Sequence, residues 1–362
     1  MPHLLVAITA HGFGHVAQTA PVVNTLRRRL PQLRLTLYTS LPRSFLASRF
    51  SGEFTHIDRS PDVGMCMKDA LEVDAAASAR TYRHFHRDWE TAVAQEARLL
   101  RDCAPDLVLA NIPYRILAAA AQTGIPALAL CNLNWVDLYR HFCASQPESA
   151  TVLEQMLGAY RSAHTFLQPR PHMPMPDLEK CQTIGPIARI GNDRRSHIRQ
   201  WCRLPADGKL VLVSLGGVPT RMNHAAWPPL PEVHWIVPAS WNPRRRDMIA
   251  LESLDMDFVD VLHSVDALIT KPGYGNFVEA ACNGVPILYA PRVDWPEESF
   301  LVDWLRNHGP CLPIQRQQLL RGDFADALRQ LFTLPTHAPV SPTGTADAVT
   351  RLSALLNAEE SR

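Results

Sequence analysis

Four things are missing from this sequence. Net charge is nearly absent: 36 Lys and Arg against 35 Asp and Glu leave +1 over 362 residues. That balance, with 46% hydrophobic residues, excludes a general nucleic-acid surface and a disordered chain. The eight cysteines contain no C-x-x-C pair and no regular spacing. This argues against a zinc module or disulfide framework and for a reducing compartment, so a cytoplasmic location is expected. No apolar run approaches the roughly 20 residues that cross a bilayer, and the first strand is too short for a signal segment. Finally, no close internal repeat is evident.

What is present is alternation. Short apolar runs at 4–9, 33–40, 53–58, 106–111 and 127–132 are separated by longer segments. Some of those segments have helical period, such as Ala79 to Asp102 and Tyr114 to Gly124. The same rhythm resumes at 210–216, 234–239, 266–270 and 286–291. Parallel sheets with helices on both faces produce this pattern. The length calls for two such domains. A boundary falls near TIGPIARIG (183–191), where Gly185, Pro186 and Gly191 interrupt the chain. A Pro-rich stretch at 334–344 precedes one amphipathic helix. The expected division is 1–186, 187–340 and 341–362. The Arg-rich segment 189–203 reads as a solvated face. Arg27, Arg28 and Arg29 close the first helix, where cations complement the dipole, and leave peripheral contact with an anionic membrane open.

The first glycine loop, HGFGHVA (11–17), matches the dinucleotide fingerprint G-x-G-x-x-A through Gly12, Gly14 and Ala17. A nicotinamide site also wants a carboxylate at the end of the second strand. That strand ends Tyr38, Thr39, Ser40, with only Arg43 nearby, so the dinucleotide reading is set aside. The alternative rests on histidine. Pro21 is tolerated in a first turn, which puts the regular helix start shortly before it and His15 at or just before that start. There the positive dipole end keeps an imidazole neutral and able to take a proton. His11 reads as the histidine that fixes the loop. His84 and His86 are too poorly spaced to share a metal and are expected to face solvent on either side of Phe85; no metal site is assigned.

The densest chemistry lies between Lys271 and Glu298, KPGYGNFVEAACNGVPILYAPRVDWPEE. The run DALIT leads through Gly273, Tyr274 and Gly275 into a helix ended by Asn283 and Gly284. A strand that delivers glycine-rich backbone to a helix start makes an anion site, because unpaired N–H groups and the dipole both face a phosphate. Lys271 would stabilise a leaving diphosphate. Glu279, one turn into the helix, would accept from ribose hydroxyls. Trp295, Glu297 and Glu298 offer a flat ring and acceptors for a sugar, although Pro296 with two acids also opens a helix.

This order of glycine turn, Glu, Asn-Gly-Val-Pro, strand and acidic pair resembles the donor half of GT-B glycosyltransferases. These include the N-acetylglucosaminyltransferase of peptidoglycan precursor and the plant glucosyltransferases. Through HGFGH, NLNWVDLY, MPMP, GYGNFVEA and PEESFL most of the chain resembles the glycosyltransferase-like amino-terminal half of plant arabinokinases. The resemblance implies an α/β fold with two Rossmann-like parallel-sheet domains facing across a cleft, and a carboxy-terminal helix that returns to the first domain. It makes Gly14 of the first loop a contact of the nucleotide-sugar donor, and His15, in the acceptor-side domain, the catalytic base. It makes Gly216 and Gly217 a second phosphate contact and Val259 the residue whose backbone reads the base, with uracil favoured. The plant enzymes orient their histidine with an aspartate. Here the comparable strand end carries Asn111, and Asp137 is a second possibility. Retaining relatives carry Glu eight residues before the ribose Glu. Lys271 stands there instead, which implies inversion.

The expectation is therefore an inverting, metal-independent glycosyltransferase. It moves a sugar from a nucleotide diphosphate, a UDP-sugar favoured, to an acceptor hydroxyl that the sequence does not identify, with no cofactor beyond the donor. Two rivals remain: a non-catalytic nucleotide-sugar-binding module, suggested by Asn111, and a nucleotide-sugar epimerase of the same fold.

Overall fold

The computed structural model describes residues 1–69, 71–205, 207–216 and 222–360, with the side chains of 358–360 excepted. The chain divides into two compact units. One comprises Met1–Lys68, Val73–Ile187 and Thr343–Arg362; the other comprises Asp69–Glu72 and Ala188–Pro342.

The first unit holds a seven-stranded parallel sheet: β1 His3–Ile8, β2 Arg34–Tyr38, β3 Thr55–Ile57, β4 Leu107–Asn111, β5 Ala127–Leu130, β6 Thr165–Pro169 and β7 Cys181–Ile184. Its order is β3-β2-β1-β4-β5-β6-β7. All six residues of β1 are buried, as befits a central strand covered on both faces. Leu4, Val6 and Ile8 of β1 pack with Val22, Val23 and Leu26 of the helix Gly14–Arg29. Leu352 and Leu356 of the last helix, Gly344–Glu360, complete that layer. Each such side chain contributes about 1.5–3 kcal/mol of burial.

The second unit holds six parallel strands: β8 Lys209–Ser214, β9 Val233–Val237, β10 Met248–Ala250, β11 Ala267–Thr270, β12 Ile287–Tyr289 and β13 Cys311–Pro313, in the order β10-β9-β8-β11-β12-β13. The helix Tyr274–Asn283 follows β11 and ends at Gly284, whose φ of 71° is the left-handed turn a glycine supplies at a helix end. Among the described residues no helix is long and apolar enough to cross a membrane.

Three local expectations are corrected. The segment expected as one helix from Ala79 to Asp102 is two, Ala75–His86 and Trp89–Cys103. The break at Arg87 and Asp88 turns His86 inward. His86 is buried, bonded to Tyr114 Oη at 2.8 Å and Gln155 Oε1 at 2.7 Å, while His84 stays exposed. Burial holds the His86 imidazole down at about 4. Pro21 lies inside the first helix, not in its first turn. Gly12, at φ +81°, turns the chain early enough for helical geometry to begin at Gly14.

Candidate functional site

In an open parallel sheet, ligands sit outside the carboxyl ends of the strands where the strand order reverses. In the first unit that point lies between β1 and β4. The loop HGFGH leaves the end of β1, and Asn111 is the last residue of β4. His15 is the second residue of the helix and is 8% exposed. Its Nδ1 stands 2.8 Å from Asn111 Oδ1. Asn111 Nδ2 donates to Gln18 Oε1 at 3.2 Å, and Gln18 Nε2 donates to Asn132 Oδ1 at 2.7 Å. Gly12 and Gly14 border open space.

Asn111 is thus a side chain 2.8 Å from His15 Nδ1, and the Cys131 sulfur lies 3.9 Å from the same nitrogen. Asp137 is occupied elsewhere: it accepts from Asn134 Nδ2 at 2.8 Å and pairs with Arg140 at 3.0 Å. His11 packs edge-on against Trp135 with ring centroids 5.5 Å apart, and its ring abuts Gly64 so closely that a Cβ there would lie 2.8 Å from Nδ1. Behind them Asp62 is buried and accepts from Thr9 Oγ1 and, at 2.9 Å, from Trp135 Nε1. Burial raises its carboxyl to about 6 against those two hydrogen bonds.

The second unit reverses its strand order between β8 and β11, and both neighbouring turns are glycine-rich. Gly216 follows β8 with φ +79°. A Cβ on it would lie 3.7 Å from Lys271 Cε, and one on Gly273 would lie 4.0 Å from Lys271 Nζ. The lysine therefore lies in the hollow between the two turns, directly after β11. Asn276 fastens this corner, donating to Ser214 O at 3.0 Å and to Thr270 Oγ1 at 2.8 Å. Gly217 lies outside the described residues.

Burial lowers Lys271 to about 7, helped by Arg292 and opposed by Glu297 and Glu298. Arg292, which the sequence reading passed over, lies after β12 with its guanidinium 3.6 Å from the Trp295 ring centroid. Burial lowers it to about 10. Its only signal was a basic residue three positions past a strand end.

Several expected contacts are placed differently. Trp295 is 6% exposed, has Arg292 over its ring and donates to Glu297 Oε2 at 2.8 Å. Its ring is thus not laid open to a sugar, and Glu297 braces the loop. Glu298 accepts from Arg292 N at 2.8 Å, an equally local task. The Tyr274 side chain belongs to the core, which leaves its backbone at the helix start. Gly275 lies in the first turn of the same helix, and Glu279 sits half-buried further along it, electrostatically coupled to Arg189. Val259 is buried in the short helix Phe258–His263 and its carbonyl lies against Gly191, where a Cβ would approach to 2.1 Å. Any base contact there falls to first-turn amides.

No family model matches the chain. In an alignment 352 positions long that covers 92% of this chain, it is 24% identical to an L-arabinokinase of Arabidopsis thaliana, of which it spans only 32%. It is 22% identical over 256 residues to an uncharacterized glycosyltransferase of Methanopyrus kandleri, covering 66% of this chain and 72% of that protein. The calicheamicin glycosyltransferase CalG4 superposes with a TM-score of 0.61 at 18% identity, covering 99% of this chain and 94% of that one. UGT89C1 of Arabidopsis thaliana, solved with UDP, superposes with a TM-score of 0.61 at 15% identity, covering 98% and 100%. The two switch-point glycine turns and these superpositions together establish that the chain has the GT-B glycosyltransferase fold.

Proposed function

We propose that this protein transfers a sugar, with inversion, from a nucleoside-diphosphate sugar to an acceptor hydroxyl. The observation that carries the reading is the corner made by Gly216, Lys271, Gly273 and Arg292. Lys271 lies beside the start of the helix and feels the charge of Arg292, an arrangement of charge and backbone donors matched to a diphosphate. As the glycosidic bond breaks, negative charge develops on the diphosphate, and Lys271, Arg292 and the first-turn amides stabilise it. Glu279 takes the ribose hydroxyls. His15 accepts the proton of the attacking hydroxyl. UDP is favoured as the nucleotide because a solved structure of the same fold, UGT89C1, contains it.

The test is a thermal-shift titration with UDP, GDP, dTDP and ADP, followed by transfer assays with the sugar series of the nucleotide that binds. A selective shift lost in Glu279→Ala, with turnover lost in His15→Gln, supports the reading. A shift with no turnover of any sugar favours the binding module, which Asn111 in place of a carboxylate also suggests.

A further inference from the structure

A histidine base works only if its proton sits on the right nitrogen. In a His–carboxylate pair the acceptor-only carboxylate guarantees this, because it can only receive from Nδ1–H. Asn111 carries both a donor and an acceptor on the same amide, so its orientation must be set by something else. The partners that set it are buried beside it: Asn111 is 0% exposed, Gln18 2% and Asn132 2%. Gln18 lies three residues after His15, on the same face of the helix. Asn132 follows β5.

We propose that Gln18 and Asn132 are positioning residues that fix the tautomer of His15 through Asn111, so that a row of amides does the orienting work of a carboxylate. This rests on the reading of His15 as the base. The row has two self-consistent senses, because turning one amide forces its neighbour to turn. The Cys131 thiol lies 3.7 Å from Asn132 Oδ1, toward which it donates, and 3.9 Å from His15 Nδ1, toward which its sulfur is then a weak acceptor. That oxygen then also receives Gln18 Nε2, which presents Gln18 Oε1 to Asn111 Nδ2 and Asn111 Oδ1 to His15. Nδ1 must carry the hydrogen, and Nε2 is the nitrogen left to take a proton. In the opposite sense Asn111 would offer N–H to Nδ1, and the proton would sit on Nε2, where it blocks a base.

The experiment is nitrogen-15 NMR of the full chain labelled at histidine, in which long-range proton–nitrogen correlations of His15 distinguish the two tautomers at pH 8. The wild type is expected to show Nδ1–H. Gln18→Met removes the middle amide and is expected to give a mixture. Gln18→Glu keeps an acceptor toward Asn111 Nδ2 and is expected to restore the single Nδ1–H form, which separates orientation from a general loss of packing. An Nε2–H wild type, or an unchanged spectrum in Gln18→Met, overturns the proposal. Where transfer is measurable, Gln18→Met should lower kcat tenfold or more at unchanged donor KM, with Gln18→Glu recovering it. The spectrum is read without substrate, so a relay that holds in a protein without turnover sinks the transferase reading alone. Turnover with an insensitive tautomer sinks the relay alone.

Discussion

Lys271 gives the sharpest test of the proposed diphosphate site. In the free protein burial holds it at about 7, with Arg292 pushing the same way and Glu297 and Glu298 opposing. A bound diphosphate supplies the counter-charge that burial denies it and should return Lys271 to its protonated form. If the complex is fully protonated, affinity follows the protonated fraction of the free protein. That fraction is one half at pH 7 and roughly one hundredth at pH 9, a loss of about 50-fold in affinity, near 2.3 kcal/mol. Arg292, lowered only to about 10, keeps most of its charge over this range. The terminal phosphate, with its second pKa near 6, is already ionised. Calorimetric titration of UDP at pH 8 in two buffers of different ionisation enthalpy should show about 0.9 proton taken up per UDP bound. Lys271→Met should bind more weakly at pH 7 and lose both the pH dependence and the proton uptake. Affinity flat from pH 7 to 9 with no proton uptake in the wild type would refute the reasoning. The same group leaves a mark on the free protein: the unfolded chain keeps this proton until about pH 10.4. Its contribution to stability therefore rises with pH above 7.

His15→Gln is expected to cut kcat by about 10²–10⁴ while UDP affinity changes less than twofold, since its proposed role is to take a proton and not to hold the nucleotide. Glu279→Ala should weaken UDP by about 1–2 kcal/mol through lost ribose hydrogen bonds, measured by calorimetry. Asp62, raised to about 6, is protonated in the native state before the unfolded chain is. Its burial therefore lowers stability progressively from pH 4 to pH 6, and the deficit persists above that. Asp62→Asn should remove up to about 3 kcal/mol of this dependence, seen as a variant more stable than the wild type at pH 7 but not at pH 4 in urea unfolding. Gly191→Ala would drive a Cβ to 2.1 Å from Val259 O and should cost about 2 kcal/mol or more, a fall of roughly 4–8 °C in Tm.

The nine apolar runs all became strands, most of them because a buried parallel strand writes itself as a hydrophobic word, while Thr55–Ile57 is a half-exposed edge strand. The four strands not foreseen had no such word. Thr165–Pro169 and Cys181–Ile184 carry polar residues near one end of their sheet, and Met248–Ala250 and Cys311–Pro313 are three-residue edges. The glycine turns were legible for the same local reason. What was not legible was contact across long sequence separations. Asn132 meets Gln18 across 114 positions, and Gln18 meets Asn111 across 93, so no spacing rule joins them. Trp295 and Glu297 illustrate the converse. Their types suit a sugar, yet two residues apart they satisfy each other, and a short-range hydrogen bond took the groups a ligand had been expected to use.

The second unit borrows Asp69–Glu72 from far upstream in the chain. Leu71 O accepts from Val293 N at 2.8 Å, and Asp69 pairs with Arg316. Val293 stands next to Arg292, so the loop that carries one of the two cations of the proposed diphosphate site is stitched by a carbonyl more than two hundred positions away. A fragment covering 188–342 would hold every strand of the second sheet but not that stitch. Excising the second unit by its sheet alone would therefore keep every strand while loosening the loop that holds Arg292, and a fragment meant to test the proposed nucleotide site needs the upstream segment grafted back in.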